Sequence, residues 1–179
     1  CGTNSPGHAT AELAFLLIMA QARQLLQNVN GLATDGLWQA AMGGDCRGKT
    51  LGVLGIGRLG KQVAALGQTI GMHVVAWSQN LTPEACEAAG VEWVSKEDLF
   101  KRADFVSIHL RLSDRTKSLV GAEELRALGA GAYLVNTSRA EIVDADALIT
   151  ALNAGDLGGV ATDVYVIEPA SAANDALVT

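Results

Sequence analysis

The sequence predicts a doubly wound α/β fold, in which helices cover both faces of a parallel sheet, preceded by a separate helix and arm. Short apolar runs alternate with helical segments along most of the 179 residues. These runs are continuously apolar, as strands buried on both faces are, instead of alternating between apolar and polar residues. The composition agrees, because 20 glycines and only 4% aromatic residues suit an aliphatic core with many tight turns.

Strands and helices are expected in regular alternation after residue 48. The apolar runs predict strands at 50–54, 73–77, 91–94, 105–110, 132–136 and 160–164. Helices are expected between them at 61–69, 83–89, 95–102, 121–128 and 145–154. Three of these helices are preceded by residues that are preferred as N-caps, namely Thr82, Ser95 and Asp144.

Residues 1–48 differ from the rest in carrying only five charged residues. Residues 9–27 predict a helix that is apolar nearly all round, and such a helix must be covered on most of its sides. Residues 31–48 are rich in glycine and predict an extended arm. We therefore expect a helix and arm at 1–48 and a second unit at 49–179, with a partner subunit or a missing domain covering the outer side of the helix.

Charge, cysteine content and hydropathy exclude several classes of protein. A net charge of −6 argues against general nucleic-acid binding, which needs a basic face. The scattered Cys1, Cys46 and Cys86 indicate reduced thiols of a cytoplasmic protein, and neither a disulfide framework nor a metal site. The longest apolar run, 13–20, is too short to span a bilayer. The start without Met and the end at Thr179 favour a fragment of a longer protein.

A glycine-rich loop between the first strand and its helix predicts dinucleotide binding. Residues 55–60 match the pattern GxGxxG in the strand–loop–helix context that this motif requires. The first glycine permits a tight turn, the second lets a pyrophosphate approach the backbone, and the third lets helix and strand pack closely. The fold is then of the Rossmann type, and we expect cofactor contacts from Gly55, Gly57, Arg58, Leu59 and Gly60.

The end of the second strand leaves the choice of cofactor open. An acidic side chain at this place bonds the ribose hydroxyls of NAD and repels the 2′-phosphate of NADP. The strand here continues into Ser78 and Gln79, with no carboxylate and with no arginine or lysine adjacent in the sequence. We expect both residues to contact the cofactor, and we favour NAD without excluding NADP.

Several further motifs follow the glycine loop in a characteristic order. Together with that loop, they resemble the D-isomer-specific 2-hydroxyacid dehydrogenases over nearly the whole chain. The resemblance implies a nucleotide-binding domain at 49–179 inserted into a substrate domain that is absent from this sequence. The segments that carry it are Gly-Lys-Thr-Leu-Gly at 48–52, Val-Ser-Ile-His-Leu at 106–110, Leu-Val-Asn-Thr-Ser-Arg at 134–139, Ala-Thr-Asp-Val-Tyr at 161–165 and Glu-Pro at 168–169.

The resemblance also implies residue roles. Arg139 would bind the carboxylate and carbonyl of the substrate, as a planar guanidinium can. Glu168 would orient a catalytic histidine and stabilise its protonated form. That histidine lies well downstream in the family, whereas this chain ends 11 residues after Glu168. Further cofactor contacts are implied for His109, Leu110, Arg111, Thr116, Thr137, Ser138, Arg139 and Asp163.

Two residues depart from the pattern of the family after Arg139. Ala140 stands where the family usually has glycine, and it would be strained if that position requires positive φ. Glu141 follows and could compete with the substrate carboxylate for Arg139. Arg111 is a further departure, because many members have a small or apolar residue there.

The function implied for the intact protein is hydride transfer between NAD(P) and a 2-hydroxy or 2-oxo acid, with no metal, no nucleic acid and no membrane. Without its substrate domain, the chain itself is expected to be inactive. The alternatives are an enzyme like formate dehydrogenase, a corepressor that dimerises on binding NAD(H), and an unrelated Rossmann enzyme. The resemblance also implies a homodimer formed through the apolar helix, at about 11–26, and its arm.

Overall fold

Six parallel strands form a single sheet in the computed structural model, which describes residues 7–171, 173, 175 and 177. The strands are β1 (Thr50–Leu54), β2 (His73–Trp77), β3 (Glu92–Trp93), β4 (Phe105–Ile108), β5 (Tyr133–Asn136) and β6 (Gly159–Thr162). Their order across the sheet is β3-β2-β1-β4-β5-β6, and every neighbouring pair is parallel. The predicted Rossmann topology is therefore confirmed, with its change of direction between β1 and β4.

Seven α-helices are assigned among the described residues. They are α1 (His8–Ala22), α2 (Leu25–Asn30), α3 (Arg58–Thr69), α4 (Pro83–Glu87), α5 (Lys96–Arg102), α6 (Ala122–Leu128) and α7 (Ala145–Ala154). A π-helical turn, Gly31–Asp35, follows α2, and a 3₁₀ turn, Ala140–Ile142, precedes α7. None of these helices is long and apolar enough to cross a membrane.

The three predicted N-caps are confirmed, and each satisfies a backbone N–H that the helix itself cannot. Thr82 Oγ1 accepts from the N–H of Ala85 at 3.3 Å. Ser95 Oγ accepts from Asp98 at 3.0 Å, and the Asp144 carboxylate accepts from the N–H of Ala147 at 3.0 Å. Helix α3 begins three residues before the predicted start, because Gly57 serves as its N-cap. Strands β4 and β6 each end two residues earlier than predicted.

The core lies on both faces of the sheet, as the continuously apolar strands predict. One cluster fills the face under α5, α6 and α7 and includes Leu99, Phe100 and Leu134. The other fills the face under α1 and α3 and includes Ile18 and Val63. The central strands β1 and β4 are buried nearly throughout, which fixes the positions of the loops that leave their carboxyl ends.

The apolar N-terminal helix is interrupted, so the single helix predicted at 9–27 is wrong at its C-terminal end. Helix α1 ends at Ala22, and Gln24 adopts a left-handed conformation with φ 52° before α2 begins. The Gln24 amide donates to the Tyr133 hydroxyl at 2.6 Å, and the Gln21 amide donates to the Val160 carbonyl at 2.8 Å. These two bonds tie the end of α1 to the sheet at the break.

The arm is not extended throughout, because its first part forms the π-helical turn Gly31–Asp35. The carbonyl of Asn30 accepts from the Thr34 hydroxyl at 2.7 Å, and the carbonyl of Gly31 accepts from the N–H of Leu37 at 3.0 Å. Residues 36–48 carry no helix or strand, as predicted. The outer face of α1 and α2 and the arm expose Leu16, Met19, Leu25, Leu26, Val29, Leu32, Leu37, Trp38 and Met42.

Candidate functional site

The candidate site lies at the carboxyl edge of the sheet, where the order of the strands reverses. In open parallel sheets this crevice is where ligands bind. The loops after β1, β2, β4, β5 and β6 all emerge at this edge. Nearly all of the site residues that the sequence predicts are in these loops, so the fold gathers segments that are far apart in the chain.

Two glycines of the loop after β1 are required by the protein itself. Gly55 has φ +97°, and a Cβ there would lie 2.8 Å from the backbone oxygen of His109. A Cβ on Gly60 would lie 1.9 Å from the oxygen of Gly55, and no side-chain movement could relieve this clash because that oxygen belongs to the backbone. The first turn of α3 therefore packs directly on the loop, in agreement with the tasks predicted for these two glycines.

Gly57 differs, because nothing in the described part of the chain requires glycine there. Its φ of −81° and ψ of −163° are open to any residue. Within residues 7–171, 173, 175 and 177, no atom beyond its chain neighbours lies within 4 Å of the position that its Cβ would take. This open space lies at the N-terminus of α3, where the backbone N–H groups of a first helical turn and the helix dipole attract anions. A pyrophosphate fits the space that a side chain at Gly57 would fill.

Two buried polar atoms among the described residues lack a hydrogen-bond partner, and both belong to loops of this edge. They are His109 Nδ1 and Thr137 Oγ1. Buried polar atoms normally have partners, so these two fit a site that a polar ligand completes. The other ring nitrogen of His109, Nε2, lies 2.8 Å from Ser107 Oγ. Burial lowers the pKa of His109 to about 4, so the ring is neutral at physiological pH.

A cavity of about 220 Å³ separates the loop after β2 from the loop after β4. Gln79 bridges the two loops by donating from its amide to the Arg115 carbonyl at 2.8 Å. The Arg115 guanidinium donates in turn to the Asn80 side-chain oxygen at 3.4 Å. The sequence places no basic residue beside the end of β2, but the fold brings the side chain of Arg115 to this position.

The cofactor contacts predicted in the loop after β4 differ in whether their side chains are available to a ligand. Leu110 and Arg111 line this cavity together with Ser78 and Gln79. The Thr116 hydroxyl is already engaged within its own loop, since it donates to the Arg111 carbonyl at 2.7 Å and accepts from the N–H of Ser113 at 2.8 Å. Thr116 therefore holds the shape of the loop, whatever it contributes to a bound cofactor.

The backbone around Arg139 is fixed by Asn136, the last residue of β5. The Asn136 side chain accepts from the N–H of Ser138 at 3.0 Å and donates to the Arg139 carbonyl at 2.9 Å. Ser138 Oγ donates to the Ile108 carbonyl at 2.7 Å, which ties this loop to the end of β4. The Arg139 side chain is exposed at the edge, and its guanidinium donates to the Ser138 carbonyl at 2.6 Å.

Neither departure after Arg139 has the effect considered from the sequence. Ala140 begins the 3₁₀ turn and does not have positive φ, so it carries no left-handed strain. Among the residues that the structure describes, no ion pair joins Glu141 to Arg139. The guanidinium therefore keeps its charge available to a ligand.

Asp163 and Glu168 follow β6. In the sheet β6 is paired with β5, which precedes Arg139. The N–H of Asp163 donates to the Asn136 carbonyl at 3.4 Å. The Glu168 carboxylate accepts from the N–H of Tyr165 at 3.3 Å, which folds this loop back on itself. Partial burial raises the pKa of Asp163, and the negative charge of Glu168 contributes. The structure thus brings the two predicted acids close to each other at the same edge as Arg139.

Sequence reasoning missed Asn136 and Arg115. Asn136 lies within the quoted motif, and an asparagine at a strand end, two residues before a serine, is a signal for a turn stabilised by its side chain. Arg115 is 36 residues from Gln79, and only the strand order could have placed it there. In that order β1 separates β2 from β4, so the loops after β2 and β4 flank the glycine loop.

The strand order, the glycine loop at the N-terminus of α3 and the open space at Gly57 define a dinucleotide-binding Rossmann domain. A family model described as "D-isomer specific 2-hydroxyacid dehydrogenase, NAD binding domain" matches residues 15–179. The chain belongs to this family, which implies NAD(H) as its cofactor, as predicted.

Relatives agree with this assignment. A glyoxylate reductase from Thermococcus litoralis is 38% identical, over 93% of this chain and 54% of its own length. A structure from Ralstonia solanacearum, assigned as a D-3-phosphoglycerate dehydrogenase, superposes with a TM-score of 0.91 at 37% identity, over 99% of this chain and 55% of that one. A formate dehydrogenase from Granulicella superposes with a TM-score of 0.86 at 31% identity, over 95% and 46%. The chain spans about half the length of these relatives.

Substituting Gly60 and Gly57 separately should distinguish a glycine needed for packing from a glycine needed for ligand binding. We expect Gly60→Ala to lower the free energy of unfolding by about 1–3 kcal/mol, because its Cβ meets the Gly55 oxygen. Gly57→Ala should leave stability within about 0.5 kcal/mol of wild type and weaken NADH binding at least about tenfold. Chemical denaturation and calorimetric titration measure the two effects. Unchanged NADH affinity in Gly57→Ala would contradict the placement of the pyrophosphate.

His109 should make the stability of the domain depend on pH in a defined window. Its pKa is lowered from 6.5 to about 4 by burial, so between these values the unfolded chain binds a proton that the folded chain does not. The free energy of unfolding should therefore fall by about 2 kcal/mol as the pH decreases from 7 to 4.5. Urea titrations at the two pH values measure this difference. In the matched variant His109→Gln, the part of the difference that is due to His109 should be absent. An NMR titration midpoint for His109 near 6.5 would refute the assignment.

Proposed function

We propose that this chain is the cofactor-binding half of an NAD(P)-dependent oxidoreductase that interconverts 2-hydroxy and 2-oxo acids. The observation that carries the proposal is the exposed guanidinium of Arg139, on a backbone fixed by Asn136 at the edge that also holds the glycine loop. A single rigid edge can then present a substrate acid to a bound nicotinamide. Such fixed positioning is the main contribution that a protein makes to cofactor chemistry.

Arg139 would hold the substrate. The nicotinamide cofactor, when bound, supplies or accepts the hydride. The guanidinium has several N–H donors in one plane, so it can bind a carboxylate through two of them and polarise the neighbouring carbonyl oxygen. Its charge is not neutralised by an ion pair in the described part of the chain, which leaves it able to bind an anionic substrate.

Glu168 and Asp163 would accept hydrogen bonds from different partners. Glu168 is exposed and would accept a hydrogen bond from a catalytic histidine contributed by sequence outside this chain, which would favour the protonated ring. Asp163, immediately after β6, would accept from the nicotinamide carboxamide, with Thr137 and Ser138 nearby. The raised pKa of Asp163 agrees with a carboxyl that has lost part of its hydration.

The identity of the acid depends on the part of the enzyme that this chain does not contain. Its relatives include a glyoxylate reductase and a protein assigned as a D-3-phosphoglycerate dehydrogenase, so small and phosphorylated acids are both candidates. The likeness to a formate dehydrogenase favours a second candidate, hydride removal from formate. The described cysteines, Cys46 and Cys86, are buried free thiols, which supports a reducing compartment such as the cytoplasm.

Arg139→Gln, made in the enzyme that combines this domain with its substrate domain, tests the main proposal. We expect kcat/KM for glyoxylate to fall at least about 100-fold, because the amide cannot bind the carboxylate through a charged pair. The loss should greatly exceed any loss of NADH affinity measured by titration. Arg126→Gln, at an exposed position of α6, is the matched control. A kcat/KM within threefold of wild type would refute the role of Arg139.

We also propose that the exposed apolar face of α1, α2 and the arm forms a homodimer interface. Trp38 and Met42 are 82% and 95% exposed, and Leu26 is 69% exposed. Exposed apolar patches of this kind mark interaction sites in soluble proteins. The opposite face of α1 is already packed on the sheet through residues such as Phe15 and Ile18, so only the outer face remains for a second copy.

Sedimentation velocity tests the dimer. Wild-type protein should sediment as a dimer, and Leu26→Asp should shift it towards monomer, because a carboxylate at a buried interface loses its hydration without a partner. Leu112→Asp adds the same charge to the loop after β4 and should leave the dimer intact. A wild-type protein that stays monomeric at high concentration would contradict the proposal.

A further inference from the structure

The cavity between the loops after β2 and β4 has a positively charged rim and contains no carboxylate. Its charged lining residues are Arg111 and Arg115, and the β2 loop contributes only Ser78, Gln79 and Asn80. If the proposed function holds, the cavity lies beside the glycine loop, on the side where the adenosine half of a dinucleotide binds. The inference that follows rests on that proposed function and concerns which form of the cofactor the cavity accepts.

The end of β2 lacks the group that excludes a phosphorylated ribose. In dinucleotide-binding folds an acidic residue at this position accepts from the 2′-hydroxyl, and its charge repels a 2′-phosphate. Ser78 is the first residue after β2 and is neutral, and so are the two residues that follow it. A phosphate on the 2′ oxygen would therefore meet no negative charge from this loop.

Arg115 supplies the opposite charge at the same place. Its backbone carbonyl accepts from the Gln79 amide at 2.8 Å, which holds the loop after β4 against the loop after β2. The hydrogen bond of its guanidinium among the described residues goes to the side-chain oxygen of Asn80 at 3.4 Å, and a phosphate could readily replace this long, neutral bond. Neither Arg115 nor Arg111 forms an ion pair within the described residues.

We infer that Arg115, assisted by Arg111, binds the 2′-phosphate of NADP(H), so that the domain binds NADPH at least as tightly as NADH. A planar guanidinium can form two charge-assisted hydrogen bonds to one phosphate, which makes arginine well suited to this group. The two arginines come from the loop after β4, whereas the position that excludes the phosphate in other domains is on the loop after β2.

Calorimetric titration of the purified protein with NADH and NADPH tests the inference, because the two cofactors differ only in the 2′-phosphate. We expect the Kd for NADPH to be equal to or below that for NADH. Arg115→Gln should weaken NADPH binding about tenfold relative to NADH, as expected for the loss of charged hydrogen bonds. Arg126→Gln removes the same charge from α6, away from the cavity, and should leave the ratio of the two Kd values unchanged.

A second variant restores the missing carboxylate. Ser78→Asp should raise the Kd for NADPH at least about tenfold relative to NADH, because it places a negative charge beside the 2′ oxygen. Parallel titrations with adenosine 5′-monophosphate and adenosine 2′,5′-bisphosphate should give the same ranking from the adenosine half alone.

The outcomes separate this inference from the proposed function. NADH binding together with NADPH binding that is at least tenfold weaker would overturn the inference and leave the proposed function standing. A Kd ratio that Arg115→Gln does not change would overturn the role of Arg115. Binding of neither cofactor would overturn the proposed function and, with it, the inference.

Discussion

Helix α3 and strand β1 approach each other so closely at the glycine loop that no side chain fits between the first turn of the helix and the carbonyl of Gly55. This contact places the N-terminus of α3 directly over the end of β1. The first turn of α3 then faces the crevice where the sheet reverses its order, as in other helices whose N-termini bind anions. Other features of the edge are arranged around that point, since His109 packs its backbone against the same glycine.

The remaining loops are held by hydrogen bonds from side chains to the backbone, which fix main-chain positions and leave charged side chains available. Asn136 binds the backbone on both sides of the Ser138–Arg139 peptide, and Ser138 connects that segment to β4. Thr116 has the same function in the loop after β4. The backbone that carries the charged side chains is therefore ordered before a ligand binds, so less conformational entropy is lost on binding.

Most of the fold could be predicted from the sequence because its signals are local. Strands β1 and β2 have the predicted boundaries, since each is an apolar run with a polar or glycine residue beyond it, and the caps at Ser95 and Asp144 are short-range interactions. The break at Gln24 could not be predicted, because it accompanies a hydrogen bond to Tyr133, 109 residues away. Of the candidate site, the glycine loop and the acids after β6 follow from motifs, whereas the proximity of Arg115 to the end of β2 depends on the strand order.

The hydrogen bond between Gln79 and Arg115 joins the two halves of the doubly wound sheet. Gln79 follows β2 in the first half, and Arg115 follows β4 in the second half, across the point where the chain changes direction. The width of the cavity between them is therefore a joint property of two βαβ units. If one βαβ unit were replaced by a unit from another domain, the width of the cavity would change. Recombination at the boundary between the halves would therefore alter this cavity and preserve the glycine loop.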